Sequence, residues 1–400
     1  MKQTIALIRE GKVPHDKRVA LTPAQCVFLE KMYPNVDFVI QPCEYRCIPD
    51  SEYIDAGLNV SENISGCDIF IGIKEVPKAD LIPGKIYLFF SHTIKKQPHN
   101  KDLLKAILEK KIQLIDYECL VDEHDNRIIG FGRFAGIVGA YNTIRAYGLK
   151  YKKFKLKPAH ECEHKTELEK ELRKVKFDNI KILLTGGGRV TNGALEMLGF
   201  MKIRRITSYE FLKFSHSEPT YTQIHSSDYN AAADGQPWNK EHFYHHPEAY
   251  VSTFNKYASR CDILMHCAFW NPKAPVLFTK EEMKESNFKI RVIGDITCDI
   301  NGSIPSTTKS TTIDSPYFEY DQQQMKIIDE MTEKTITTMA VDNLPCSLPR
   351  DASEAFGNEL IEKVLPSLFL DRENDLISRA SITLNGKLTE RYQYLTDYVS

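Results

Sequence analysis

Apolar and polar positions along this chain alternate in two successive series of short strands and amphipathic helices. In the first third, Thr4–Ile8, Asp37–Gln41, Asp68–Ile73, Lys85–Ser91 and Gln113–Asp116 are short β-rich runs bounded by polar or turn residues. Among them, Thr22–Met32 opens with Thr-Pro, an N-cap followed by a proline at the first helical position. Lys101–Lys111 has helical periodicity. Strands alternating with helices predict a mostly parallel sheet. Phe134–Gly148 (FAGIVGAYNTIRAYG) is apolar with small residues at close spacing, which predicts a buried helix that other backbones approach closely and that joins two domains. Residues 151–179 are charged and read as surface. A second series starts at Ile180, with strands at Ile182–Thr185, Arg204–Thr207, Ile263–His266 and Arg291–Asp295. Residues 215–250 are rich in His, Ser, Tyr and Asn without periodicity and read as a long excursion, either a lid or an irregular insertion. Pro345–Phe369 begins with a proline-flanked turn. Within it, amphipathic Asp351–Leu365 predicts a helix returning to the first domain.

Composition narrows the class. A chain of 400 residues exceeds one ordinary core and predicts two domains. The net charge of -2 gives no basic field to draw in nucleic acid. The lysine cluster at 150–157 (KYKKFKLK) reads as a solvated helix end. No apolar run reaches the roughly 18 residues of a membrane span. MKQTIALIREGK reads as a first strand, not a signal peptide. Ten scattered cysteines without a C-x-x-C pair suit reduced thiols in a cytoplasmic protein. Cys162 and His164, in HECEH, have no second ligand pair at zinc spacing, so no metal is expected.

The stretch from Lys181 to Leu198, KILLTGGGRVTNGALEML, carries the most chemical information. A short apolar strand runs into three glycines and then into a helix. Gly186 suits the tight turn, Gly188 lets the backbone approach a pyrophosphate, and Gly193 lets the helix pack close to the strand. The gap before Gly193 is longer than in G-x-G-x-x-G, so this is a variant of the dinucleotide fingerprint.

Ionisable residues at strand ends supply the rest. Lys74 closes IFIGIK and His92 closes IYLFFSH, both at the carboxyl edge where α/β sheets place ligands. Lys74 either faces water or, partly buried, serves as a base; with His92 it would make an acid–base pair. Glu75 could tune Lys74, and Glu118, after LIDY, is a third edge residue. Arg18, in a loop before a helix, is suited to a substrate carboxylate. Asp342, in VDNLP, ends another apolar run.

These blocks resemble one superfamily, that of alanine dehydrogenase, transhydrogenase NAD-binding subunits and lysine-forming saccharopine dehydrogenase. The resemblance is carried by RVALTP (18–23), GIKEVP (72–77), FFSHTIK (89–95), LIDYE (114–118), FGRFAGIVGA (131–140), GGGRVTNGA (186–194), DITCDINGSI (295–304) and DNLPCSLPRDASEAFG (342–357). Within the superfamily the chain is most similar to saccharopine dehydrogenase and to the lysine-ketoglutarate reductase half of aminoadipic semialdehyde synthase, and ITLNGKL (382–388) looks like the reductase half. The resemblance implies an α/β fold of two Rossmann-like, doubly wound parallel-sheet domains with the active site in a cleft between them. Residues 1–134 plus 345–400 would form the substrate and catalytic domain, and 135–344 the dinucleotide-binding domain. It implies Lys74 as general base, His92 as general acid, and Glu75 and Glu118 as tuning acids. It places Arg18, Lys95, Gln97, Arg127 and Phe131 at the substrate, and Gly188, Arg189 and Asp342 at the cofactor.

The expected reaction is saccharopine plus NAD(P)+ and water giving L-lysine, 2-oxoglutarate and NAD(P)H, with no metal. An alanine dehydrogenase-like amino-acid dehydrogenase and a nucleotide-binding module without catalysis are the alternatives. Small molecules, not nucleic acid or membrane, are the expected partners, and the chain is expected to be a monomer or small homo-oligomer. Cofactor choice turns on the residues after Arg204–Thr207. Glu210 on the ribose hydroxyls means NAD, whereas Ser208 with Arg204 or Arg205 on a phosphate means NADP. A chain that stands alone favours NAD, with NADP left open.

Overall fold

The parallel strands begin where the apolar runs do. The structure is a computed structural model that describes residues 2–371 and 374–400. Two units divide the chain, Met1–Phe131 with Pro349–Ser400, and Gly132–Leu348, and each is built on one eight-stranded sheet.

In the first unit, β1 (Gln3–Leu7), β2 (Val36–Ile40), β3 (Asn59–Val60), β4 (Ile69–Ile71), β5 (Ile86–Phe89) and β6 (Gln113–Asp116) run parallel in the spatial order β6-β5-β4-β1-β2-β3. Two antiparallel strands from the end of the chain, Ser381–Leu384 and Lys387–Leu388, extend the sheet beyond β6. The parallel strands are apolar on both faces because helices cover both sides. Thr22 caps the helix Pro23–Met32 through a capping box with Gln25. Gln25 also ties that helix to Pro349–Lys363: its Nε2 donates to Glu354 O and Asn358 Oδ1, both at 2.8 Å. A side chain at Gly357 would meet Gln25 Oε1 at 2.1 Å, so the tie requires glycine there. Pro349–Lys363 lies in the same unit as Pro23–Met32. Register sets the site: Leu7 pairs Ile71, Ile71 pairs Leu88, and Phe89 pairs Asp116. The carboxyl ends of β1, β4, β5 and β6 thus lie side by side.

The second unit contains β7 (Lys181–Thr185), β8 (Arg204–Arg205), β9 (Thr220–Ile224), the small antiparallel pair β10 (Asn230–Ala232) and β11 (Tyr250–Ser252), β12 (Ile263–His266), β13 (Val292–Asp295), β14 (Tyr317–Asp321), β15 (Lys326–Ile328) and β16 (Ile336–Met339). Its main sheet has the order β15-β14-β16-β13-β12-β7-β9-β8, parallel from β16 to β8. Here the sequence expectations need correcting. The strand beside β7 is β9, inside the stretch read as an irregular excursion, and Arg204–Thr207 contributes only the two-residue edge strand β8. Alternation in TYTQI is too brief, and too close to polar residues, to stand out. Strands β14 to β16 were also absent from the sequence reading.

Helix Gly132–Lys150 is buried almost throughout. It crosses helix Arg189–Leu198 at backbone contact: a Cβ at Gly136 would lie 1.9 Å from Val190 O, and one at Gly193 would lie 1.9 Å from Arg133 O. Gly193 therefore serves this helix–helix crossing, not the expected approach of helix to strand. Lys150 is not solvated either. Its ammonium is buried, 3.1 Å from Glu319 Oε2, and donates to the hydroxyls of Thr335 and Thr337. All ten cysteines are free, and Cys162 Sγ donates to Pro158 O. Among the described residues, no three His, Cys, Asp or Glu side chains gather as a metal set, and no helix is long and apolar enough to cross a membrane.

Candidate active site

Side chains following two neighbouring strands of the first unit, β5 and β6, converge on one carboxylate. Glu118, two residues past β6, has its side chain only 3% exposed. It meets His92 Nδ1 at 3.2 Å through Oε2, and Lys95 Nζ at 3.1 Å and Arg127 Nη2 at 2.7 Å through Oε1. Burial pushes its carboxyl up. The His92 hydrogen bond and the charges of Arg127 and Lys95 outweigh that and hold it down at about 2. An ionised Glu118 orients the imidazole through this contact.

Asp116 braces this arrangement. Its Oδ2 accepts Ser91 N–H at 3.0 Å and its Oδ1 accepts Glu118 N–H at 2.7 Å, so one buried residue fixes the ends of β5 and β6 together. His92 needs the bracing, because its φ of 54° is left-handed backbone that a side-chain-bearing residue occupies at a cost. Beneath the imidazole lies an aromatic layer. Phe90 stacks at 6.3 Å from the His92 ring, and Phe131 stacks on Phe356 at 4.4 Å.

Lys74, three residues past β4, occupies the next strand end. Burial, then the charge of Arg18, lowers its pKa. The Ile73 carbonyl accepts Phe90 N–H at 2.9 Å, so the backbones leading to Lys74 and His92 run together to the edge. Arg18 is buried, 4.1 Å above the Phe131 ring, and one edge of its guanidinium is held by Asp16: Nε donates to Oδ1 at 2.9 Å and Nη2 lies 2.5 Å from Oδ2. Glu75 turns to Lys12, 3.3 Å away, and is a minor influence on Lys74. Gln97 is exposed, and its carbonyl accepts Tyr398 O–H. The sequence reading overlooked Glu10, Asp16 and Asp116. Glu10 was findable by the same edge rule, being an acid just past the apolar run IALIR.

The second unit presents backbone at its glycine turn. Gly186 has φ 94°, and a Cβ there would lie 3.1 Å from Ala268 Cα. Gly188 caps helix Arg189–Leu198 without a side chain, and a Cβ at that position would meet nothing within 4 Å. A helix N-terminus with no side-chain cap, beside open space at Gly188, suits a diphosphate, and Arg189 is the first helical residue. Gln223, at the end of β9, donates through Nε2 to Gly186 O at 2.9 Å and accepts Arg205 Nη2 at 3.1 Å through Oε1. Beside it is a pocket of about 340 Å³ lined by Arg205, Thr207, Ser208, Glu210 and Gln223. Glu210 Oε2 accepts both Thr207 N–H and Thr207 Oγ1, at 2.9 and 2.8 Å, and this capping box lowers its pKa. Below the glycine turn, buried His266 bridges Thr185 Oγ1 and Ser303 Oγ, each at 2.8 Å, and burial drops its pKa to about 4. Asp342 is exposed, three residues past β16, at the same sheet edge as the glycine turn.

Comparison with known proteins follows this geometry. Residues 6–138 match the alanine dehydrogenase/PNT N-terminal domain family. L-alanine dehydrogenase has a similar fold, with a TM-score of 0.65 at 14% identity over all of both chains. A transhydrogenase from Sinorhizobium meliloti scores 0.61 at 15% identity over 97% of this chain and all of that one. The likeness to this family is carried by residues 6–138, and the two solved structures share the fold of the chain as a whole. The mitochondrial alpha-aminoadipic semialdehyde synthase of Mus musculus is 30% identical over 98% of this chain. The chain spans about half of that relative's length, 48%. The saccharopine dehydrogenase [NAD(+), L-lysine-forming] of Neurospora crassa is 24% identical over 91% of each chain.

Proposed function

We propose that this protein is a nicotinamide-nucleotide-dependent oxidoreductase that interconverts saccharopine and water with L-lysine and 2-oxoglutarate. The observation that carries the reading is the convergence of His92, Lys95 and Arg127 on Glu118, beside the strand end that bears Lys74. The match of residues 6–138 to the alanine dehydrogenase/PNT N-terminal domain and the activities of the similar proteins support it.

Saccharopine is a secondary amine flanked by carboxylates. Its oxidation requires loss of a hydride from carbon and a proton from nitrogen, addition of water to the resulting imine, and collapse of the carbinolamine to amine and ketone. When bound, the nicotinamide accepts the hydride. Lys74, with its amine made less basic by burial, takes the proton from the substrate nitrogen. His92, oriented by Glu118, removes a proton from the attacking water and returns one to the departing lysine nitrogen. Arg18, Lys95 and Arg127 offer the positive charge that a multiply anionic substrate needs, with Gln97 and Phe131 at the same end of the sheet. The Gly186–Gly188 turn and Arg189 hold the diphosphate, and Asp342 stands at the same edge for the nucleotide.

For cofactor choice, the capping role of Glu210 leaves Arg205 and Ser208 as the polar groups of the neighbouring pocket suited to a ribose phosphate, which favours NADP(H). Glu210 stands in the same wall, so NAD(H) is the competing outcome. Nicotinamide absorbance followed with saccharopine and each oxidised nucleotide, and with lysine plus 2-oxoglutarate and each reduced one, tests the whole reading. Turnover is expected, faster with the phosphorylated nucleotide. Turnover of pyruvate and ammonia instead would assign an alanine dehydrogenase, and nucleotide binding without any turnover would leave a non-catalytic module.

A further inference from the structure

The first strand contributes a fourth ionisable group to the edge, and its carboxyl is engaged by the backbone of Lys74. β1 and β4 pair in parallel up to Leu7 and Ile71, and Ile8 N–H still donates to Ile71 O at 3.1 Å. Beyond this the chain of β1 leaves the ladder, and the N–H groups of Ile73 and Lys74 lose a strand partner. Glu10 replaces it. Oε1 accepts Ile73 N–H at 2.6 Å and Oε2 accepts Lys74 N–H at 2.8 Å. Glu10 is 5% exposed, so each of those bonds is made away from water. The approach depends on glycine at 72: a Cβ there would lie 2.9 Å from Ile8 Cγ1 and 3.5 Å from Glu10 Oε1. With Phe90 N–H on the Ile73 carbonyl, the Ile73–Lys74 segment is held from both sides.

We propose that Glu10 is the positioning residue of Lys74: its two-pronged carboxyl fixes the segment that carries the lysine, and so fixes where the amine stands. The inference rests on the dehydrogenase reading for its consequence in catalysis, though not for its geometry.

The groups facing Glu10 are Asp16 and Arg18 from the loop after β1, Lys74 itself, and Tyr117 after β6, while Tyr45 O–H donates to the Glu10 carbonyl. Burial first, then Asp16, raises the Glu10 carboxyl to about 8, against the two N–H groups and Arg18, which lower it. The clamp therefore changes charge within the pH range in which a dehydrogenase works. Above about 8 it is a carboxylate that holds both N–H groups.

Glu10→Gln keeps the size but sets an NH2 against one of the two N–H groups. The experiment compares wild type, Glu10→Gln and the shorter Glu10→Asp by thermal melting, by the pH profile of saccharopine oxidation, and by the pH dependence of Lys74 acylation with acetic anhydride, read by peptide mass spectrometry with exposed Lys152 as internal control. Expected for Glu10→Gln are a folded protein, a loss of kcat on the order of 10²-fold with the nucleotide KM unchanged, and displaced pH curves for both turnover and Lys74 acylation. Glu10→Asp is expected to recover part of the acylation curve; should Glu10→Gln fail to fold, a displaced curve in Glu10→Asp carries the test. An acylation curve that matches wild type in every folded variant would overturn the proposal. Wild-type protein that turns over no saccharopine would remove the dehydrogenase reading while the acylation curves still decide on Glu10.

Discussion

Both units of this chain are built on an eight-stranded, mostly parallel sheet, yet the carboxyl edges of the two sheets are furnished in opposite ways. In the first unit, consecutive strand ends carry charge: Glu118, His92, Lys74 and Glu10 follow β6, β5, β4 and β1 in spatial order. Their pKa values are driven apart, with Glu118 down at about 2 and Glu10 up to about 8. In the second unit, the corresponding edge carries the glycine turn, hydroxyls, a histidine that burial keeps neutral at ordinary pH, and the exposed Asp342. On the proposed reading, one sheet edge moves protons and the other lets a backbone approach a ligand. The fold alone decides neither; the residues just past each strand do.

The comparison breaks most visibly at Lys74. Lys74→Met should lower kcat for saccharopine oxidation by about 10²–10⁴-fold, because the strand end loses its proton acceptor. Nucleotide affinity, measured by fluorescence titration, should be unchanged, since the glycine turn is untouched. Near-normal turnover in this variant would end the division of labour between the units.

The next effect is on stability and belongs to the second unit, where buried charge is structural. Lys150 and Glu319 pair at 3.1 Å with side chains 0% and 4% exposed, supported by four threonine hydroxyl contacts from Thr335 and Thr337. Lys150→Met leaves the Glu319 carboxylate buried without its cation and should cost about 3–5 kcal/mol in chemical denaturation. Lys150→Met combined with Glu319→Gln should regain much of that loss, which a purely steric effect of methionine would not allow.

How much of this was legible beforehand follows from where the information lies. Parallel strands buried on both faces announce themselves as short apolar runs, so β1, β2, β4 to β7, β12 and β13 could be read directly. The residues after them, Lys74, His92, Glu118 and Gly186, were readable for the same reason. β9 was not, because TYTQI alternates with polar residues and sits among histidines and serines. Its strand character comes from pairing with β7, which is a property of the whole sheet. Long-range partners were equally invisible. Nothing in HDKR says that Asp16 holds Arg18, and nothing in IALIRE says that Glu10 reaches across 63 residues to Ile73. The family resemblance supplied candidate residues, while the hydrogen bonds that discipline them came from the three-dimensional arrangement.

Two glycines of the same motif sharpen the contrast between packing and binding. Gly193→Ala places a methyl 1.9 Å from Arg133 O, a backbone atom that cannot swing aside, and should cost about 1–3 kcal/mol by thermal or denaturant unfolding. Gly188→Ala meets nothing within 4 Å and has φ -92°, so its melting temperature should match wild type. Its nucleotide dissociation constant should rise instead, because the added methyl occupies the space before the helix N-terminus. Equal melting temperatures for the two variants, or equal nucleotide affinities, would erase the distinction.

The smallest expected effect separates the two acids of the first unit by the sign of their pH dependence. Glu118 falls from an ordinary 4.5 to about 2 in the folded chain, so its interactions stabilise fully above pH 4.5 and are lost as pH falls through 2. Glu10 rises from 4.5 to about 8, so folding loses stability as pH climbs from 4.5 to 8 and this carboxyl must ionise in a buried site. Glu118→Gln should therefore be less stable than wild type by about 1–2 kcal/mol at neutral pH, since Lys95 and Arg127 are partly exposed and water screens their share. The gap should close between pH 4.5 and 2. Glu10→Gln has no carboxyl to ionise, so its stability relative to wild type should rise across the interval from 4.5 to 8. Denaturant midpoints collected over both intervals read the two slopes directly. Parallel slopes in the two variants would mean that the strand ends do not hold these acids in opposite electrostatic environments, and the proton-handling role of this edge would lose its physical basis.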